Sequence, residues 1–144
     1  MGRSLIQVPA AAEPVGVGID QVMVGDFERQ PFADNEPFYR RLFSADEIAY
    51  CLGQAAPAQH FAARYAAKEA AVKACNAIVP LAYWQIEVQR MSDGAPALHF
   101  WNEQRSGPQR QLAPYRALIS LSHTDTVASA IVVLCARTGV DRGH

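Results

Sequence analysis

The sequence predicts an α+β domain: a mainly antiparallel sheet with one long helix packed across it. Three observations point there. A glycine-spaced apolar strand, Val15-Gly-Val-Gly-Ile-Asp20, is followed by helical patterns and not by a second strand. The longest of these, residues 58–75, is rich in alanine and opens behind Pro57, which suits a first helical position. The C-terminal half then returns to strands, with a hairpin and two apolar runs whose short connections favour antiparallel pairing.

Taken in order, residues 1–14 read as a flexible extension. Gln7 and Pro9 interrupt the only apolar run there, making a poor secretory signal. Ile6 stands where a myristoylation motif needs Ser or Thr. The domain proper is expected over 15–135, with 136–144 as a tail. Its first strand delivers Asp20 to its end, and 25–31 reads as a turn or short helix. After 36–43, Ser44-Ala-Asp-Glu47 forms a capping box that opens a helix through Leu52. A linker at 53–56 leads into the long helix. Residues 84–91 and 97–101 read as a hairpin around Ser92-Asp-Gly-Ala95, and the polar stretch 102–113, containing Gly107-Pro108, as a loop or broken helix. Two strands, 116–122 and 128–134, join around His123-Thr-Asp-Thr126.

Composition narrows the function. In 144 residues, half are hydrophobic and 19% charged, enough to bury one core. A net charge of -1 leaves no basic excess for non-specific binding to nucleic acid or to an anionic membrane. The longest apolar run, 127–136, is too short to cross a bilayer. Cys51, Cys75 and Cys135 form no C-x-x-C pair and read as buried free thiols of a reducing, cytoplasmic protein. The four histidines show no metal-binding spacing.

The chemistry concentrates on the long helix, where Arg64, Lys68, Glu69 and Lys73 stand against alanine. Two readings are open. One is a solvated surface helix carrying a Glu69–Lys73 pair worth about 0.2–0.5 kcal/mol. The other joins Glu69 to Asp20: two carboxylates flanked by cations suit Mg²⁺ with a polyphosphate, because magnesium takes one or two carboxylates and completes its shell with water and phosphate oxygens. Ser120-Leu-Ser-His123-Thr124 is similarly ambiguous. It is either a strand edge with a hydrogen-bonded histidine, or a cluster in which Ser122, His123 and Thr124 hold phosphate or adenine. No G-x-S-x-G accompanies it, so a hydrolytic triad is not indicated.

These motifs together, Gly18-Ile-Asp20, Phe61-Ala-Ala-Arg64-Tyr-Ala-Ala-Lys68-Glu69-Ala-Ala-Val-Lys73-Ala, Gly94-Ala-Pro96, and Ser120-Leu-Ser-His123-Thr124 with Ala128-Ser-Ala130, resemble the holo-acyl-carrier-protein synthases, the short bacterial 4′-phosphopantetheinyl transferases. Arg41-Leu-Phe-Ser-Ala-Asp-Glu47 is similar to the family's segment before the long helix. The resemblance covers roughly residues 15–134. It implies transfer of phosphopantetheine from coenzyme A to a serine of an apo acyl carrier protein, for fatty acid or polyketide synthesis, with release of adenosine 3′,5′-bisphosphate. It further implies that Asp20 and Glu69 hold Mg²⁺ and that Lys73 contacts the pyrophosphate. Arg64, Lys68 and His123 would line the nucleotide and phosphate pocket, Gly94 and Pro96 would border it, and the assembly would be a homotrimer with sites between subunits. Glu69, or a water it orients, would be the general base. A Mg²⁺-dependent pyrophosphate hydrolase and a non-catalytic binding domain are the rivals.

The chain departs from the family in three places. Ala74-Cys75-Asn76-Ala77 replaces a Gly-Thr-Gly-like turn. Residues 21–29 are poor in basic side chains for gripping an acidic carrier, which leaves Arg29, Arg40 and Arg41 as candidates. Residues 54–60 lack Lys and Arg altogether.

Overall fold

Alanines spaced all round a helix mark no buried stripe, so what packs on it decides its burial. In the computed structural model, which describes residues 13–100 and 108–137, that helix is the centre of the molecule. The elements are β1 (Pro14–Met23), α1 (Val24–Glu28), α2 (Glu36–Leu42), α3 (Ala45–Leu52), α4 (Pro57–Cys75), β2 (Ile86–Arg90), β3 (Pro96–Phe100), α5 (Pro108–Leu112), β4 (Tyr115–His123) and β5 (Val127–Ala136). Short 3₁₀ turns occupy Phe32–Asp34 and Tyr83–Gln85. Eleven residues of α4 are buried, including Arg64 and Lys68. The reading of α4 as a solvated surface helix is therefore corrected.

Its partner is β1. A Cβ on Gly18 would stand 1.9 Å from the Ala70 carbonyl oxygen, and one on Gly16 would stand 2.0 Å from that of Ala74. Glycine on the strand and alanine on the helix let the two backbones touch. The strand order is β1-β5-β4, antiparallel throughout, with Asp20 opposite Ala130 and Ala130 opposite Leu121.

The expected α+β architecture with antiparallel pairing is present, but the strands divide into two sheets. Strands β2 and β3 form their own hairpin, packed beside β4. Its turn contains Gly94 at φ +86°, a conformation glycine adopts freely, and Asp93 Oδ1 accepts a bond from the Ala95 N–H at 2.9 Å. Asp20 does not end its strand, because Gln21, Val22 and Met23 go on pairing with Ser129, Ala128 and Val127. His123 belongs to β4, and Trp84 sits in a 3₁₀ turn before β2. The sequence expectations for residues 1–12, 101–107 and 138–144 lie outside the described residues.

Glu47 ties the helices to the hairpin. Its Oε1 accepts from the Ser44 N–H at 2.9 Å, while Ser44 Oγ accepts from the Glu47 N–H at 3.2 Å, completing the capping box. Its Oε2 accepts from the Val88 N–H of β2 at 3.1 Å. Phe27, Tyr39, Phe43 and Phe61 pack together beneath α1 and α2, the Tyr39 and Phe61 ring centroids 4.7 Å apart. All three cysteines are free, but only Cys51 and Cys75 are buried; Cys135 is half-buried, a correction to the expectation for all three. Burial pushes the thiols up, Cys51 to about 12 and Cys75 to about 11.

Candidate active site

Lys73, in the last turn of α4, reaches across to β1. Its ammonium donates to the Ile19 carbonyl at 3.0 Å and to Asp20 Oδ1 at 3.2 Å. One turn earlier, Glu69 accepts a hydrogen bond from the Tyr83 hydroxyl. Tyr83 is pushed up chiefly by that bond, then by burial, by the Glu69 charge and by the charge of Asp20. The Tyr65 ring lies 5.7 Å from that of Tyr83, and burial followed by the Glu69 hydrogen bond pushes its phenol up as well. Both phenols are therefore donors at neutral pH. Asp20, Glu69 and Lys73 share one neighbourhood, and the expected Glu69–Lys73 pair is replaced by bonds from each residue to a different element.

This donor set suits magnesium. Two carboxylates from adjoining elements are the hard oxygen ligands that Mg²⁺ takes in ones and twos. Among the described residues no cluster of three or more His, Cys, Asp or Glu could hold a metal, so water and phosphate oxygens would complete the shell.

A cavity of about 280 Å³ opens on the other flank of α4. Arg64, Gly94, Pro96 and His123 all line it, so four of the candidate residues meet there. Arg64 is 5% exposed, stacks over Tyr50 with its guanidinium carbon 4.1 Å from the ring centroid, and its buried Nε has no hydrogen-bond partner among the described residues. A guanidinium that lines a cavity suits an anionic ligand there. Arg90 also bonds the Tyr50 hydroxyl, and the His60 and His123 ring centroids lie 5.2 Å apart. Burial, followed by the charges of His123, Arg64 and Arg90, pushes His60 down.

Three candidate residues are elsewhere. Lys68 does not line the cavity. It is fully buried and pairs with Glu47 Oε1 at 2.7 Å. The same ammonium donates to the carbonyls of Leu42 and Ile86 at 2.7 Å each and of Tyr83 at 3.4 Å, so its donors are consumed within the core. Burial pushes it down against the opposing pull of Glu47. Ser122 is exposed on the sheet face opposite His123, as strand alternation requires. Thr124 closes the β4–β5 turn, its Oγ1 accepting from the N–H groups of Thr126 and Val127 at 3.3 and 3.2 Å.

Sequence reasoning missed Tyr50, His60, Arg90, Tyr65 and Tyr83. The absence of Lys and Arg from residues 54–60 was the available signal, since a pocket for an anion then needs a cation from elsewhere, and β2 supplies Arg90. Of the arginines considered for carrier docking, Arg29 pairs with Asp26 and Arg40 with Glu36.

The two groups do not meet within one chain. Arg64 and Glu69 are five residues apart, roughly 140° around the helix. Asp20 lies on β1 at one edge of the sheet and His123 on β4 at the other.

Comparison with known proteins finds relatives of this chain. Residues 16–122 match the model of the 4′-phosphopantetheinyl transferase superfamily. The chain is similar to the holo-[acyl-carrier-protein] synthase of Geobacter metallireducens, at 39% identity over 83% of this chain and 95% of that one. It is similar to that of Anaeromyxobacter sp. at 37% identity, covering 83% and 94%. Among solved structures, the acyl carrier protein synthase of Mycobacterium tuberculosis has 31% identity and a TM-score of 0.67, covering 86% of this chain and 99% of that one. The Bacillus anthracis holo-(acyl-carrier-protein) synthase, solved in complex with CoA (3′,5′-ADP), has 26% identity and a TM-score of 0.67, covering 85% and 97%. On the match to residues 16–122 and these identities, the chain belongs to the 4′-phosphopantetheinyl transferase superfamily.

Proposed function

We propose that this chain is a holo-acyl-carrier-protein synthase, moving the 4′-phosphopantetheine group of coenzyme A onto a serine hydroxyl of an apo acyl carrier protein. The observation that carries the reading is the convergence of the Arg64 side chain with Gly94, Pro96 and His123 on one cavity. Relatives named for this activity, and a similar structure solved with coenzyme A, support it.

The serine oxygen attacks the phosphorus on the pantetheine side, and the bond to the distal phosphate oxygen breaks, releasing adenosine 3′,5′-bisphosphate. Arg64 and Arg90 hold the nucleotide end. Lys73 offsets negative charge along the pyrophosphate. Glu69 is the candidate base for the serine proton, directly or through a water. Asp20 and Glu69 would hold Mg²⁺, which when bound stabilises charge developing on the phosphate oxygens.

The site is assembled between copies of the chain, as a homotrimer, so that the acidic pair of one copy faces the cavity of another. Two observations support this. The acidic pair and the cavity lie at opposite edges of the sheet. The sheet face turned away from α4 is also apolar and exposed, with Val17 and Ile19 each at 63%. No helix among the described residues is long and apolar enough to cross a membrane, and free thiols suit a reducing compartment, so we assign the activity to the cytoplasm. Arg41 is exposed, and among the described residues no ion pair engages it, so it is the first arginine to test in carrier docking.

The test incubates the protein with coenzyme A, Mg²⁺ and apo carriers of fatty acid and polyketide type, then weighs each carrier by mass spectrometry. The expected result is a carrier heavier by one phosphopantetheine. Unmodified carriers throughout would overturn the reading, and coenzyme A consumed without a carrier would indicate a hydrolase.

A further inference from the structure

Tyr83 lies outside the helix motif and outside the cavity, yet it is tied to the candidate site at two points. Its hydroxyl donates to Glu69 Oε1. Its main-chain carbonyl accepts from the Lys68 ammonium at 3.4 Å, and the same ammonium holds the Ile86 carbonyl at 2.7 Å, so Lys68 grips both ends of the 3₁₀ turn that carries the phenol. The turn is closed further by the Gln85 side chain, whose Oε1 accepts from the Ala82 N–H at 2.9 Å. Lys68 itself is fixed by Glu47. A chain of contacts thus runs from the capping box of α3 to the Glu69 carboxylate.

A carboxylate on a helix has rotamer freedom, and orienting it before it meets a cation is the task of groups that hydrogen-bond it from outside the ligand set. We propose that Tyr83 is a positioning residue for Glu69, fixing the orientation of the carboxylate that would hold the divalent cation, and that buried Lys68 serves the site by holding Tyr83 in place. The inference rests on the metal-dependent reading above. It gives Lys68 a role beside Glu69 that does not involve touching the nucleotide.

Removing one such outer partner typically weakens metal binding about 10–100-fold. The test titrates Mn²⁺ into the full-length protein in the presence of coenzyme A, reading free Mn²⁺ by electron paramagnetic resonance, for the parent, Tyr83→Phe and Glu69→Gln. The expected result is Mn²⁺ affinity about tenfold weaker in Tyr83→Phe, with coenzyme A affinity in the absence of metal and the thermal midpoint unchanged. In turnover, the Mg²⁺ concentration giving half-maximal transfer rises correspondingly while KM for coenzyme A stays constant. Parent-like Mn²⁺ affinity in Tyr83→Phe, with Glu69→Gln impaired, overturns this inference and leaves the metal reading standing. Equal loss of coenzyme A and Mn²⁺ affinity in Tyr83→Phe overturns it too, because the phenol would then be a general support. Identical Mn²⁺ binding by the parent and Glu69→Gln overturns the metal reading itself.

Discussion

The Lys68 ammonium lies 2.7 Å from Glu47 Oε1, and each side chain is only 1% exposed. Without the ammonium, the buried Glu47 carboxylate keeps only the Ser44 and Val88 N–H groups and has no countercharge, which is costly. Lys68→Met, which leaves Glu47 in the core, lowers stability by about 3–5 kcal/mol in urea unfolding. Combining it with Glu47→Leu recovers most of that loss. A Lys68→Met variant as stable as its parent would show that water reaches the carboxylate.

Gly18 meets the Ala70 carbonyl so closely that a methyl group cannot be accommodated by rotating a side chain. Gly18→Ala forces β1 away from α4 and costs about 3 kcal/mol or more, beyond the usual range for overpacking. Chemical denaturation measures it. The exposed Gly53, where an added Cβ meets nothing nearer than 3.5 Å, is the control, and Gly53→Ala leaves stability within about 0.5 kcal/mol.

Arg64 lines the cavity with a planar, forked guanidinium stacked on Tyr50, and lysine reproduces neither the plane nor the fork. Arg64→Lys raises KM for coenzyme A about tenfold with kcat little changed, the signature of lost ground-state binding. Steady-state kinetics at fixed carrier concentration separate the two parameters. A fall in kcat at constant KM would instead place Arg64 at the reacting phosphorus.

Val17 stands opposite Val133, and Val133 opposite Leu118, in one apolar row on the outer sheet face. Val17→Glu with Leu118→Glu puts charge into the proposed contact between copies. The expected outcome is a monomer by light scattering, with native circular dichroism and lost transfer activity. A fully active monomer would show that one chain completes the site.

Much of this was legible early because it is local. The Ser44 capping box, Pro57 at the start of α4 and the Asp93-Gly94 turn depend on neighbours a few residues away, and each formed where expected. Asp20 at a strand end was misread, because the end of β1 depends on where Val127, Ala128 and Ser129 of a distant strand stop pairing. The Glu69–Lys73 pair failed for a similar reason. Its i,i+4 geometry is available, but stronger partners, Tyr83 and Asp20, arrive from other parts of the chain.

The sequence by itself determined the family-like order of motifs, the long alanine helix and the residue types of the site, since these follow from short-range pattern and spacing. Only the tertiary structure decided which cations are free to act. Lys68 and Lys73 are five residues apart on α4, yet one is sealed against Glu47 while the other reaches the surface at Asp20. Helix periodicity fixes the angle between two side chains, whereas the solvent or carboxylate each one meets depends on what the fold packs against that angle.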